Sequence, residues 1–304
     1  MQIASFSGHE TFSFRYGWLT KGVNAIALNP HVFSSQRAMI ELGVGKNMVN
    51  SIRHWCIVTN LIQSEIGVPS TKSGYAVTPL GKLLLTENGS DPFLEDPATL
   101  WLLHWLITSN VEQCTTWYWL FNVFNSIEFT KKQIADEITK WLEQRGSKPP
   151  SENTLSRDID CCVRTYVHSK LSKNTVFDDS FDCPLTEISI IEEVADFEDG
   201  KLFQFQRGEK TSLQKEIFLF ALSEFWKKYY QNNKSLAIEK IVYDSGSPGR
   251  VFKLDEESIM QRLENIYDLS QGVFSFGETA GLKQIYKQKE IFSSYWLESY
   301  YYQK

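Results

Sequence analysis

Residues 36–62, QRAMIELGVGKNMVNSIRHWCIVTNLI, decide how the chain is read. Glu41-Leu42-Gly43-Val44-Gly45 breaks the segment into two helices, because glycine reaches backbone angles that other residues adopt at a cost. Beyond the break, Met48, Val49, Ile52, Trp55, Cys56 and Leu61 fall near helical spacing and predict a buried face. Lys46, Asn47, Asn50, Arg53 and His54 fill the other positions. KSGYAVTPLGKLLL (72–85) then reads as a short hairpin or wing, in which Tyr75 and Val77 alternate and Pro79 closes the strand. Helix, tight turn, helix and wing predict a winged helix-turn-helix.

Downstream the shape recurs. Residues 97–127, rich in Trp, Leu and Phe, read as buried helix. TKKQIADEITKWLEQRG (130–146) is amphipathic, and after Pro149-Pro150 the Ser151 side chain can cap a further helix. Asn153, Ser156 and Arg157 are the polar positions of that second candidate recognition helix, with Asp158 and Asp160 beside them to repel phosphate. Residues 170–210 read as turn-rich β segments, 211–231 as an amphipathic helix, and LDEESIMQRLENIYDL with GVFSFGETAGLKQIYKQ as helix then hairpin. The expected class is predominantly α with small β-wings, as several winged helix-turn-helix-like units. The expected domains are 1–90 (N-terminal winged helix with a basic surface), 91–170 (helical, with the second unit) and 171–304 (C-terminal α+β).

The chain has 304 residues, a net charge of −6 and five cysteines. An odd cysteine count without framework spacing fits a reducing cytoplasm. The opening MQIASFSGHETF lacks the pattern of a secretory signal, and WLLHWLI (101–107) is far short of a membrane span. No C-x-x-C or H-E-x-x-H occurs, so zinc is not expected. The charge is uneven. Residues 1–85 hold seven Lys/Arg against three Asp/Glu, leaving an acidic remainder. A polyanion would meet the N-terminal third first.

Upstream lies FSGHETFSFRYGWLTKG (6–22), with His9-Glu10 ahead of Arg15 and Lys21. Hydrolysing a phosphodiester needs a base or metal to activate water, and positive charge on the developing phosphorane. His9 is a candidate base, Glu10 a candidate ligand for magnesium or manganese, and Arg15 a candidate phosphate contact. On an extended segment neighbouring side chains point to opposite faces, so the rival reading has one of the pair pinning the N-terminus. GVGKN (43–47) is no P-loop, because Ile40 and Asn47 stand where Gly and Ser/Thr are needed, and no nucleotide cofactor is expected. As a turn opening a helix it would offer free N–H groups and Lys46 to a DNA phosphate. Lys21, Lys46, Asn47, Asn50, Arg53 and His54 are therefore the candidate DNA-binding set, with Trp55 in the core.

Three nuclease patterns fail. His168-Ser169-Lys170 starts an HxK pattern, but Thr175 stands where its Asp is needed; Asp199-Gly200-Lys201 is first a hairpin turn; and HNH-type spacing is absent. The vicinal Cys161-Cys162 pair reads as packing.

FSGHETFSFRYGWLTKG, ELGVGKNMVNSIRHWC (41–56), DCPL (182–185) and SPGRVFKL (247–254) together resemble the SspB-like proteins of bacterial DNA phosphorothioation systems, over nearly the whole chain. In these systems sulfur replaces a non-bridging phosphate oxygen. The resemblance implies a role in the single-strand pathway, associated with DNA nicking, beside a cysteine desulfurase and an ATP-using sulfur-transfer partner. It carries no catalytic residue map. Two expectations follow: a metal-dependent nickase that opens one strand of double-stranded DNA for sulfur insertion, or a non-catalytic specificity or scaffold subunit that recruits the sulfur-transfer proteins. A homodimer is compatible with either.

Overall fold

The computed structural model describes residues 4–65, 74–168, 183–197 and 200–303. The sequence features at Lys72, Ser169, Lys170, Thr175, Asp182 and Asp199 lie outside the described residues. The chain divides into two compact units, one of residues 1–119 and 126–204, the other of residues 120–125 and 205–304.

In the first unit α1 (Trp18–Leu28) is followed by α2 (Ala38–Leu42) and α3 (Lys46–Val58). The break between α2 and α3 lies where the glycines predict it: Gly43 has φ 63° and caps α2. Val49, Ile52, Trp55 and Cys56 of α3 are buried, and truncating a fully enclosed Trp such as Trp55 costs about 3–5 kcal/mol. β1 (Ile62–Ser64) and β2 (Tyr75–Val77) form an antiparallel pair with Ile62 opposite Val77.

KSGYAVTPLGKLLL departs from the expected hairpin. Tyr75–Val77 pairs back to the end of the preceding segment, and the rest is helix α4 (Pro79–Leu85). Thr78 is its N-cap, accepting the Gly81 N–H at 3.0 Å, and Pro79 occupies the first turn, where its missing N–H costs nothing. Only glycine fits at position 81, since a Cβ there would stand 2.2 Å from the Leu61 carbonyl oxygen.

α5 (Pro97–Thr108) is buried almost all round, and α6 (Thr115–Asn122) follows. β3 (Glu128–Thr130) leads into α7 (Lys131–Gln144), which turns Ile134, Ile138 and Leu142 inward. Ser151 caps α8 (Glu152–Tyr166) as expected, accepting the Thr154 N–H at 3.2 Å. β4 (Ile191–Phe197) and β5 (Gly200–Phe205) complete a three-stranded sheet in the order β3-β5-β4.

The second unit contains α9 (Lys215–Tyr229), β6 (Ser235–Ala237), α10 (Ile238–Tyr243), α11 (Pro248–Phe252), α12 (Glu256–Glu264), α13 (Ile266–Leu269), β7 (Phe274–Thr279), β8 (Leu282–Lys287) and α14 (Ser294–Tyr301). Its sheet has the order β6-β8-β7. Helix α9 buries Ile217, Phe218, Leu222, Phe225 and Trp226. Residues 120–125 are held here by two cations. Arg250 donates to Asn125 Oδ1 (2.8 Å) and to the carbonyls of Asn122 (2.8 Å) and Phe124 (3.1 Å). Lys253 donates to the Phe121 carbonyl (3.0 Å) with its ammonium 4.1 Å from the Phe205 ring centroid. The described chain is mostly helical with small antiparallel sheets.

Candidate nucleic-acid interface

The N-terminal segment is a tight turn rather than a strand. Ser7, Glu10 and Thr11 all have positive φ (63°, 50° and 68°), and the Glu10 and Phe12 N–H groups bond back to the carbonyls of Ser7 and His9. Non-glycine residues enter this region at a cost, so surrounding contacts must hold them there. They do. Trp55 Nε1 donates to the Phe12 carbonyl at 2.9 Å, and Arg164 Nη2 to the Thr11 carbonyl at 2.8 Å. A Cβ at Gly8 would meet His54 Nδ1 at 2.6 Å.

The turn separates the vicinal pair. His9 is only 1% exposed, and its Nε2 lies 2.8 Å from Asp158 Oδ1. Its Nδ1 accepts the Thr11 N–H at 3.1 Å, so the proton sits on Nε2 and both ring nitrogens are engaged. Asp158 also accepts the Ser7 N–H (2.6 Å) and the Thr116 hydroxyl (2.5 Å). A buried carboxylate is tolerated because three donors satisfy it. Asp158 thus faces the interior and not the outer surface of α8, and Asp160 is paired with Lys131 at 2.7 Å. Trp55 stacks near the His9 ring, 6.1 Å between centroids, and Trp117 meets its edge at 5.4 Å.

Glu10 is half-buried and reaches the other way, accepting Asn50 Nδ2 of α3 at 3.1 Å. Lys46 and Asn47 are exposed at the start of α3, whose N-cap Gly45 offers no side-chain acceptor to the opening N–H groups. Arg53 is half-buried farther along the helix, and Lys21 is exposed on α1. Arg15 lies over Trp18, 5.6 Å from the ring centroid.

His54 belongs to the interior network. Burial pushes its imidazole down to about 3; the His9 ring and Arg53 act the same way, with Asp158 opposing. It is neutral at physiological pH, and Nε2 lies 3.9 Å from Cys114 Sγ. Cys161 and Cys162 are buried, and burial pushes both thiols up, as packing residues require.

The structure thus joins His9, Glu10, Asn50 and His54 in one neighbourhood. Sequence reasoning missed Asp158, Thr116 and Arg164, which hold the turn in place. Among the described residues no group of three or more His, Cys, Asp or Glu could hold a metal. Glu10 offers one carboxylate with one oxygen taken by Asn50. That donor set fits only an ion sharing water and phosphate oxygens, the way magnesium is commonly held.

The family model described as a protein of unknown function, DUF4007, matches residues 6–301. No curated protein matches the chain. The solved structures that resemble it include two of SspB. A magnesium-ion-bound SspB crystal structure is 28% identical with a TM-score of 0.85, over 98% of this chain and 88% of that one. A second SspB crystal structure is 27% identical with a TM-score of 0.86, over 99% and 89%. The chain belongs to the DUF4007 family and is an SspB-like protein.

Proposed function

We infer that this chain is a DNA-binding protein of a DNA phosphorothioation system, in which α2, α3 and the β1–β2 pair act as a winged helix-turn-helix on duplex DNA. One observation carries the reading: Lys46 and Asn47 are exposed at the uncapped start of α3, while Val49, Ile52, Trp55 and Cys56 anchor the opposite face in the core. Free N–H groups and a lysine are what a phosphate needs. Arg53, Asn50 and Lys21 extend that contact, while His54 stays with the interior network. Salt-dependent binding of a duplex oligonucleotide tests it; affinity that ignores salt, or no binding at all, overturns it.

Nicking of one strand is the catalytic form of this reading, with residues 1–90 carrying the chemistry. The enclosure of His9 against Asp158 supports a structural role for His9 and leaves Glu10 as the member proposed to meet substrate. Arg15 and Lys46 would meet the phosphate. A magnesium or manganese ion at Glu10 would supply positive charge to the phosphate oxygens. The test is conversion of supercoiled plasmid to relaxed circles by pure protein, with loss in Glu10→Gln.

A second reading, a scaffold that binds DNA and recruits the cysteine desulfurase and sulfur transferase, is favoured by Glu10 standing as a single carboxylate paired with Asn50, while Asp158 is enclosed with His9, Ser7 and Thr116. It predicts duplex binding, intact supercoils and co-purification with those partners.

A further inference from the structure

Nothing above uses the second unit, yet that unit holds a cavity of about 380 Å³ between α9, the end of β8 and the segment before α14. The size is within the range of small-ligand sites. Its floor is aromatic: Trp226 and Phe274 are buried and stack with centroids 5.6 Å apart. At its edge Phe292 is 84% exposed, a large apolar ring that folding leaves in water. Lys227, Lys287 and Lys289 line the same cavity against one acid, Glu290, which is paired with Lys287 at 2.7 Å. Gln231 and Asn232 add exposed amides, each able to donate and accept. Ser293 Oγ donates to Glu224 Oε1 at 2.5 Å, tying the Phe292 segment to α9.

An exposed ring for stacking, excess lysines for a phosphate and amides for a base edge form one chemical combination. An acidic peptide would use the lysines and leave Phe292 without a role. An apolar ligand would leave the lysines without one. Every nucleobase has a π-face, and single-strand binders combine aromatic platforms with basic grooves.

We propose that this cavity binds one unstacked nucleotide, its base against Phe292 and its phosphate on Lys287, Lys289 and Lys227, and that a single strand of DNA is its source. The inference rests on the DNA-binding reading for that source, while the pocket chemistry stands on the second unit alone.

The probes are a 2-aminopurine-labelled single-stranded oligonucleotide, dAMP, a poly-glutamate peptide and an unlabelled duplex, each titrated into full-length protein. The variants are Phe292→Ala and Lys289→Ala, both exposed and outside the core. The expected result is a single-strand affinity about tenfold weaker in Phe292→Ala, a shallower salt dependence in Lys289→Ala, and unchanged duplex affinity. Binding of dAMP but not of the oligonucleotide, lost in Phe292→Ala, keeps the nucleotide chemistry and overturns DNA as its source. Single-strand and dAMP binding that are absent, or indifferent to both variants, overturn the pocket. So does poly-glutamate binding that the variants abolish in their place. The duplex arm reports separately on the function proposed above.

Discussion

His9 Nε2 and Asp158 Oδ1 meet at 2.8 Å although the two residues are 149 positions apart in the chain, and both side chains are enclosed. Asp158→Ala would strand the donors of Ser7, His9 and Thr116 together. The expected loss is about 3 kcal/mol or more, read as a lower urea midpoint with an unchanged slope. Retained stability would show that the network contributes little.

His54 links stability to pH. Its folded value, about 3, lies below the ordinary 6.5, so the unfolded chain binds more protons between those two values. Stability from this group is present above pH 6.5 and is lost as pH falls toward 3, at no more than about 1.4 kcal/mol per pH unit. His54→Gln should flatten that acid limb relative to wild type in denaturant unfolding at pH 7.5, 6 and 5. Parallel curves would remove His54 as the cause.

Gly8→Ala should destabilise by about 2 kcal/mol, because the new methyl would stand 2.6 Å from His54 Nδ1. Removing the obstacle tests the cause. In Gly8→Ala/His54→Ala the two losses should be less than additive; simple additivity would trace the cost to the backbone.

Lys46→Ala with Arg53→Ala should weaken duplex binding at all sequences alike and lower the salt slope by about 2. The folded state should hold, since Lys46 is exposed and Arg53 half-buried. An unchanged slope would exclude α3 as the docking helix.

Lys253 is a buried cation bonded to a carbonyl and two rings, and burial with Arg250 and Arg207 nearby holds its ammonium well below the usual lysine range. Lys253→Met should cost about 1–3 kcal/mol at pH 7, because it removes the buried donor to the Phe121 carbonyl. It should also remove the rise in stability that the wild type shows as pH increases toward 10.5, since the unfolded chain holds that proton longer.

The helices were legible because their signals are local. Val49, Ile52 and Cys56 mark a face of α3, and Ser151 announces α8 three residues ahead of the N–H it caps. Thr78-Pro79 carries an equally local signal, a cap and a first-turn proline, yet a proline after Tyr75 and Val77 suits the close of a strand as well. The turn at Ser7, Glu10 and Thr11 had no such signal, since none of the three is the glycine that positive φ favours. Nor could spacing reveal Asp158. It looked like an obstacle to phosphate on a second recognition helix, and only the tertiary fold makes it the partner of His9.

The hold of Arg250 and Lys253 on residues 120–125 also sets an order of biosynthesis. The ribosome releases that six-residue segment long before its two captors, with residues 126–204 of the first unit still to be made. The second unit can close only after the chain has returned to it, so its maturation is a late event of translation. A fragment cut at residue 205 would carry both captors and nothing for them to hold.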